Sequence, residues 1–365
     1  MNFFKAIQLC IKNNLIFAAY RLPNTDSINL VVQKSNVPKK VKITAGLFNN
    51  AGFLVSPFNE NESNQSYLIS SDLVYTSTDY ADFDELKTID AIPCTDECFE
   101  NGIISRKDFI NQVNEIIKAI SEKKFEKAVL SRIKIVERNY RSKLTEIFQM
   151  LSSSYPNAFV YLFNVAGQTW MGATPEPLVC SHQNELETVS LAGTREYTTD
   201  NLNLRNWSTK EIVEQDLVTR YIENILSSLK ISYLKKRGPY TKKAGNLIHL
   251  RTDFTLDFSQ VNGHIDKLIR QLHPTSAVCG YPKKESMEFI LHLEKHNRKY
   301  YSGFMGPVNI DEKVLLFVNL RCMQVLCDKL VLHIGAGITI DSVPEDEWDE
   351  TEIKADTLLS VIHKV

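Results

Sequence analysis

Apolar and polar positions along this chain switch between a helical and a two-residue period, and the switches mark out elements. Phe109, Val113, Ile116, Ile117 and Ile120 recur on one stripe, predicting a helix capped by Ser105. The β-branched run Lys127 to Val136 predicts a strand, and Leu144 to Leu151 a helix. Short strands are expected at Ala158 to Asn164, Thr169 to Ala173 and Leu178 to Ser181, with bends at Gly167 and at Pro175/Pro177. Ser208, with Glu211 three residues on, predicts a capping box for a helix running to Leu229. A strand over Asn246 to Phe258, helices over Val261 to Leu272 and Lys284 to Glu294, and a meander of strands from Tyr300 to Leu332 follow. His333-Ile-Gly-Ala-Gly-Ile-Thr predicts a strand ending in a glycine loop, and Ser342, Pro344 and Glu345 a second capping box for a last helix to His363.

The first hundred residues read as β-rich after a short helix. Strands are expected at Ile28 to Gln33 and Phe53 to Phe58, with a turn at Asn49-Asn50-Ala51-Gly52. The polar stretch Asp84 to Gly102 is the one plausible boundary, dividing a β-rich portion, 1–102, from the remainder, 103–365. Helices and strands mix without strict βαβ alternation, so the fold class is α+β.

Composition narrows the function classes. A length of 365 residues allows one large domain or two ordinary ones, and 43% hydrophobic with 24% charged residues is ordinary for a globular protein. A net charge of −2 gives no bulk attraction to nucleic acid or an anionic membrane. No apolar run is long enough to span a bilayer, and charges interrupt the amphipathic start, so cytoplasmic residence is the expectation. Seven cysteines, an odd number at irregular spacing, argue against a disulfide framework. Cys94 and Cys98 have the spacing of a zinc half-site, but no matching Cys/His pair follows, so reduced thiols are the plainer reading.

Chemistry enters with two acidic pairs at the same spacing, Glu211/Glu214 and Glu347/Glu350. Residues three apart share a helix face, and two such faces turned together would form an oxygen-rich cage for a hard cation. The plain alternative is a solvated face with a Glu350–Lys354 pair. Gly335-Ala336-Gly337 and Leu191-Ala-Gly193-Thr194-Arg195 could offer backbone N–H groups to an anion, or serve only as turns. Arg321 ends an apolar strand, where a charge needs either a salt bridge or an anion. Lys127 leads a hydrophobic strand, as an edge charge or, partly buried, as a general base. Glu176, held between Pro175 and Pro177, is placed to stay protonated and act as an acid. His249, taken alone, reads as a satisfied core histidine.

Together these segments resemble the chorismate-utilising enzymes that open menaquinone, siderophore and tryptophan synthesis. The resemblance runs from Ser105 to the C-terminus. It rests on Lys127-Ala-Val-Leu-Ser-Arg132, Gly172-Ala-Thr-Pro-Glu-Pro177, Leu191-Ala-Gly-Thr194, Lys210-Glu-Ile-Val-Glu214, Ile248-His-Leu-Arg, His273-Pro-Thr-Ser-Ala-Val-Cys-Gly280, Tyr301-Ser-Gly303, Leu320-Arg-Cys322, Gly335-Ala-Gly-Ile and Glu347-Trp-Asp-Glu-Thr-Glu-Ile-Lys354. It implies a large two-sheet antiparallel core with helices outside, as in anthranilate synthase component I. It also implies Mg²⁺ held by Glu214 and Glu350, with Glu211 and Glu347 behind them through water. Gly193, Thr194 and His249 would line the ring site of chorismate. Ala277 falls in the stretch closest to the isochorismate branch. Tyr301, Arg321, the Gly335-Ala336-Gly337 segment and Lys354 would hold the enolpyruvyl carboxylate or its neighbours.

Ammonia-using members carry a glutamine where this chain has Lys127, so the resemblance implies water as nucleophile and no glutamine amidotransferase partner. Lys127 would activate the water and Glu176 protonate the departing hydroxyl, yielding isochorismate for menaquinone or a siderophore. Salicylate synthase, which goes on to expel pyruvate, is the alternative; Lys210-Glu-Ile-Val-Glu214 is similar to that branch. A non-catalytic binding protein on the same fold would be expected to lack Lys127 or Glu176, and both are present. A monomer or weak homodimer is expected.

Overall fold

A computed structural model describes residues 2–78, 82–93, 102–137, 139–244, 247–261 and 263–365, which leaves Cys94 and Cys98 outside the described residues. Among these, the strands form two nine-stranded sheets, antiparallel at every pairing. The first runs, edge to edge, through Gly280–Tyr281, Lys127–Glu137, Lys329–Ile338, Cys322–Val325, Gln168–Thr174, Phe159–Val165, Phe17–Arg21, Ile28–Val32 and Leu73–Thr76. The second runs through Tyr233–Ala244, Leu247–Asp257, Glu185–Glu196, Pro177–His182, Lys313–Val318, Phe304–Ile310, Gly52–Ser56, Ser66–Ser70 and Lys40–Val41. Strands from residues 1–102 lie in both sheets.

The sheets pack face to face with helices outside, and the sequence of the central strands reflects it. In Phe159–Val165 every residue is buried. Phe159, Tyr161 and Phe163 point between the sheets, where they meet Phe53, Met305 and Phe317. Val160 and Leu162 point the other way, under Phe3–Lys12, Leu144–Ser154 and Pro344–Ile362. A strand with two apolar faces reads as a continuous run rather than an alternation. The second sheet is covered by Thr209–Ser228 and Ile265–Leu272. Arg106–Ser121 and Lys283–Leu293 close the end of the first sheet at Lys127–Glu137.

That end is also fastened by polar contacts. The buried carboxylate of Glu294 accepts from Ser131 N at 2.7 Å and from the Ser131 hydroxyl at 2.8 Å. Arg298, paired with Glu294, donates to the carbonyls of Val129 at 2.6 Å and Val278 at 2.8 Å. The strand that starts at Lys127 is thereby tied to the segment carrying Ala277.

Several expectations shift. The helix expected over Val261 to Leu272 is two, Phe258–Val261 and Ile265–Leu272, separated near Gly263 at φ +79°. The last helix starts at Pro344 without a side-chain cap, because the Ser342 hydroxyl accepts from Thr339 N instead. No glycine loop follows His333: Gly335 and Gly337 lie inside the strand Lys329–Ile338, paired with Ser131 and Val129. Tyr233–Ala244 is a strand that the pattern does not reveal, since it is a lysine-rich, largely exposed edge.

Phe159 and Phe317 stack across the sheet interface at 4.2 Å and 5°. Phe159→Ala is expected to cost about 3–5 kcal/mol in denaturant unfolding; a loss below about 1 kcal/mol would mean that the sheets close over the gap.

Candidate active site

Two helix N-termini and four strands converge on one cavity of about 100 Å³. Glu211 and Glu214 sit in the opening turns of Thr209–Ser228, and Glu347 and Glu350 in those of Pro344–Ile362. Carboxylates are stabilised there by the helix dipole. The second helix is set in place by Arg132, whose guanidinium stacks on Trp348 at 3.9 Å and donates to the Thr351 hydroxyl at 2.8 Å. The cavity is lined by Glu176, Gly193, Thr194, Glu214, His249, Ala277, Tyr301, Arg321, Gly335, Gly337 and Lys354.

Lys127 is wholly buried and donates to Glu214 Oε1 at 2.8 Å. Gly337 makes the contact possible: a Cβ there would come within 2.5 Å of Glu214 Oε1 and 3.1 Å of Lys127 Cε. Burial alone would raise the Glu214 pKa, but Lys127, helped by Lys354 and Lys210, holds it below the usual carboxylate range. Glu176 is the opposite case. Its burial outweighs the attraction of Lys127, Arg251 and Lys354 and pushes its pKa up to about 8, so it carries its proton at neutral pH.

His249 serves as a connector. Arg321 donates to its Nε2 at 2.8 Å, and a guanidinium can only donate, so Nε2 is unprotonated. Its Nδ1–H therefore donates to the Gly193 carbonyl at 2.8 Å, with the Thr194 hydroxyl at 3.3 Å. Burial and the adjacent Arg321 push the His249 pKa down to about 3. Gly193 takes φ +67° at a bulge between the strands Glu185–Glu196 and Leu247–Asp257, a backbone turn that presents this carbonyl. Burial lowers the Arg321 pKa to about 10, which leaves the guanidinium charged. Lys354 bridges Glu350 at 2.6 Å and the Gly335 carbonyl at 3.0 Å. Tyr301 lies against Gly335, where a Cβ would meet its hydroxyl at 2.7 Å.

The acidic residues form a charge-balanced cluster. Glu211 is held bidentately by Arg195, both contacts at 2.6 Å, and closes the capping box with Ser208. Glu347, 1% exposed, accepts from Lys210 at 2.5 Å. Its other oxygen, Oε2, is buried with no donor in hydrogen-bonding geometry. Burial and the neighbouring Glu350 push the Glu347 pKa up to about 7, against the pull of Lys210 and of the Ser342 hydroxyl. Among the described residues no three acidic, histidine or cysteine side chains stand close enough to hold a metal ion as placed. The all-carboxylate donor set and the unpartnered Glu347 oxygen nevertheless fit a hard cation better than any soft one.

Residues 49–363 match the family profile described as chorismate binding enzyme. The chain belongs to the chorismate-binding enzyme family. Isochorismate synthase MenF of Bacillus subtilis is 25% identical over 266 residues, which are 71% of this chain and 56% of that protein. The vibriobactin-specific isochorismate synthase of Vibrio cholerae is 26% identical over 264 residues, 70% of this chain and 67% of that one. This chain thus spans little more than half to two thirds of these relatives. The structure of the menaquinone-specific isochorismate synthase MenF from Escherichia coli superposes with a TM-score of 0.77 at 20% identity, over 98% of this chain and 91% of that one. At that identity the likeness establishes the fold, the two-sheet chorismate-binding architecture.

Of the residues singled out in the sequence, Lys127, Glu211, Glu347 and Glu350 lie behind the cavity wall rather than on it, and Ala336 points away. Its neighbours Gly335 and Gly337 face the cavity, so strand alternation turns Ala336 outward into the core with Phe109 and Leu130. Lys210 joins the cluster without a signal in the sequence, although it sits inside Lys210-Glu-Ile-Val-Glu214, because its partner Glu347 is 137 residues away. Arg251, which acts on Glu176 and pairs with Asp253, likewise has no signal in the sequence beyond its place in Ile248-His-Leu-Arg.

Gly337→Ala is expected to push apart two flexible side-chain ends rather than the backbone. Its melting temperature should stay within a few degrees of the parent, while a crystal structure shows Lys127 and Glu214 separated. An intact 2.8 Å contact in that variant would contradict this account of the glycine.

Proposed function

We propose that the chain is an isomerase converting chorismate to isochorismate. The observation that carries this reading is a cavity lined by a buried carboxyl that keeps its proton, Glu176, by Arg321 and Lys354, and by Glu214, behind which the wholly buried Lys127 is paired at 2.8 Å. A base, an acid and two fixed cations suit a dicarboxylate that exchanges one hydroxyl for another. The relatives named as isochorismate synthases support the same reaction.

Mg²⁺ is the proposed cation, held by Glu214 and Glu350 with Glu211 and Glu347 one shell out, and it would neutralise and orient the ring carboxylate. The protein's own groups do the rest. Arg321, fixed by His249, and Lys354, fixed on the Gly335 carbonyl, hold the second carboxylate with Tyr301 beside it. Gly193, Thr194, His249 and Ala277 bound the ring. Lys127, once the ammonium paired with Glu214 has lost its own proton, takes a proton from water, whose oxygen bonds to carbon 2. The ring double bonds shift, the carbon 4–oxygen bond breaks, and Glu176 protonates the departing hydroxyl. One water enters and one leaves. Water as nucleophile requires no amidotransferase subunit. Names among the relatives point to both menaquinone and siderophore routes as destinations for the product.

Incubation with chorismate and Mg²⁺, followed by product separation, tests the reading: isochorismate is expected. Salicylate released in step with pyruvate would establish the salicylate synthase alternative, and no turnover would reject both. Lys127→Ala is expected to lose about 10²–10⁴ in turnover while still binding chorismate by calorimetry; full activity in that variant would reject Lys127 as the base.

The pH dependence follows from Glu176. With its pKa near 8, the acid form is full at neutral pH and is lost as pH rises through that value, so turnover should fall on the alkaline side. The folded state also prefers the protonated carboxyl, so stability falls as pH rises from the ordinary value of 4.5 to about 8 and levels above it. A stability profile flat from pH 4.5 to 8, with the alkaline limb of turnover unchanged in Glu176→Gln, would assign the limb to another group.

A further inference from the structure

We propose that Lys210 is the built-in counter-ion of the carboxylate cluster, seated on Glu347 when no divalent ion is bound and displaced into the neighbouring cavity when one enters. The proposal rests on the cation-binding reading above and extends it to a residue that reading does not use.

The argument is one of charge balance. Three ammonium groups face three carboxylates: Lys127 on Glu214 at 2.8 Å, Lys354 on Glu350 at 2.6 Å and Lys210 on Glu347 at 2.5 Å. Glu350 and Glu214 also act on the Lys210 ammonium, so it sits within the field of all three. A divalent ion brought into this balanced, largely buried set leaves surplus positive charge where water screens poorly. An ammonium must therefore move out. Lys127 has no exposed surface. Lys354 is anchored a second time, on the Gly335 carbonyl at 3.0 Å. Lys210 differs from both. Its side chain is 27% exposed, close to the 23% of Lys354, but Glu347 is the one hydrogen-bonding partner of its ammonium among the described residues.

Lys210 also has a place to go. It lines a second cavity of about 500 Å³ together with Lys123, Lys124, Glu126, Val213 and Asp341; Glu126 already faces Arg220 at 3.9 Å, and Asp341 supplies the alternative carboxylate there. Its departure would release Glu347 Oε1, beside an Oε2 that has no hydrogen bond in good geometry and only the Ser342 hydroxyl acting on the carboxylate. Lys210 is thus a positioning residue: it keeps the two acidic helix ends together while the cage is empty and competes with the metal for it.

Competition predicts opposite effects for two variants of the full-length chain, read by calorimetric titration with Mg²⁺ and by Mn²⁺ paramagnetic resonance, without substrate. Lys210→Met removes the competitor at similar length, so Mg²⁺ should bind at least tenfold more tightly. Its melting temperature in chelator should fall below the parent's and recover on adding Mg²⁺. Lys210→Arg, with a fork that grips Glu347 more firmly, should bind Mg²⁺ more weakly than the parent. Equal affinity in all three proteins, or weaker binding by Lys210→Met, overturns the proposal while leaving the cage reading standing. If none of the three binds either ion, both fail; turnover plays no part in the readout.

Discussion

Burying Lys127 against Glu214 is the constraint around which this molecule is arranged. Removing two charges from water costs several kcal/mol per ion, and their attraction returns that only with good geometry and further support. The support is visible on every side. Gly337 leaves out the Cβ that would occupy the contact. Lys354 and Lys210 add positive charge near the carboxylate. The helix bearing Glu214 begins with a capping box, and its dipole favours a negative group at that end. Such a pair is weak evidence for stability and better evidence for a role in chemistry.

The low dielectric that makes the pair expensive also sets the character of its neighbours. Glu176 stays protonated and His249 stays neutral for the same reason, burial of the form that would carry charge. His249 then accepts from Arg321 with one nitrogen and donates to Gly193 with the other, which fixes a cation at a chosen point of the cavity. The surrounding walls are of low polarity because both sheets bury apolar side chains on two faces and are covered by helices. The scaffold and the electrostatics are therefore one problem: a thinner core would admit water and return each of these groups to its ordinary titration.

Local signals were legible where they are carried by neighbours in the chain. The helix from Ser105, the capping box at Ser208 and the strand from Lys127 follow from caps and periodicity, and each is present. The positions of Glu176 and Glu214 were legible too, through the motifs that contain them. The strand Tyr233–Ala244 was not, because an exposed lysine-rich edge has no apolar face to announce it. The glycine segment after His333 was misread as a loop, since glycine in a strand and glycine in a turn look alike until a partner strand is known. Lys210 escaped for a related reason, its partner lying on a distant helix.

The chain alone determined the class of chemistry: carboxylates at helix spacing, a lysine, a proline-flanked glutamate and glycine-rich segments in an order similar to one enzyme family. Residue type and near-neighbour spacing are properties of the polymer, and they survive without coordinates. Tertiary structure decided who is paired with whom and which groups are charged. It placed Lys127 on Glu214, Lys210 on Glu347 and Arg321 on His249, turned Ala336 away from the cavity, and raised the Glu176 pKa. Those outcomes depend on burial and on distances between residues far apart in the chain, quantities that exist only once the two sheets have closed on each other.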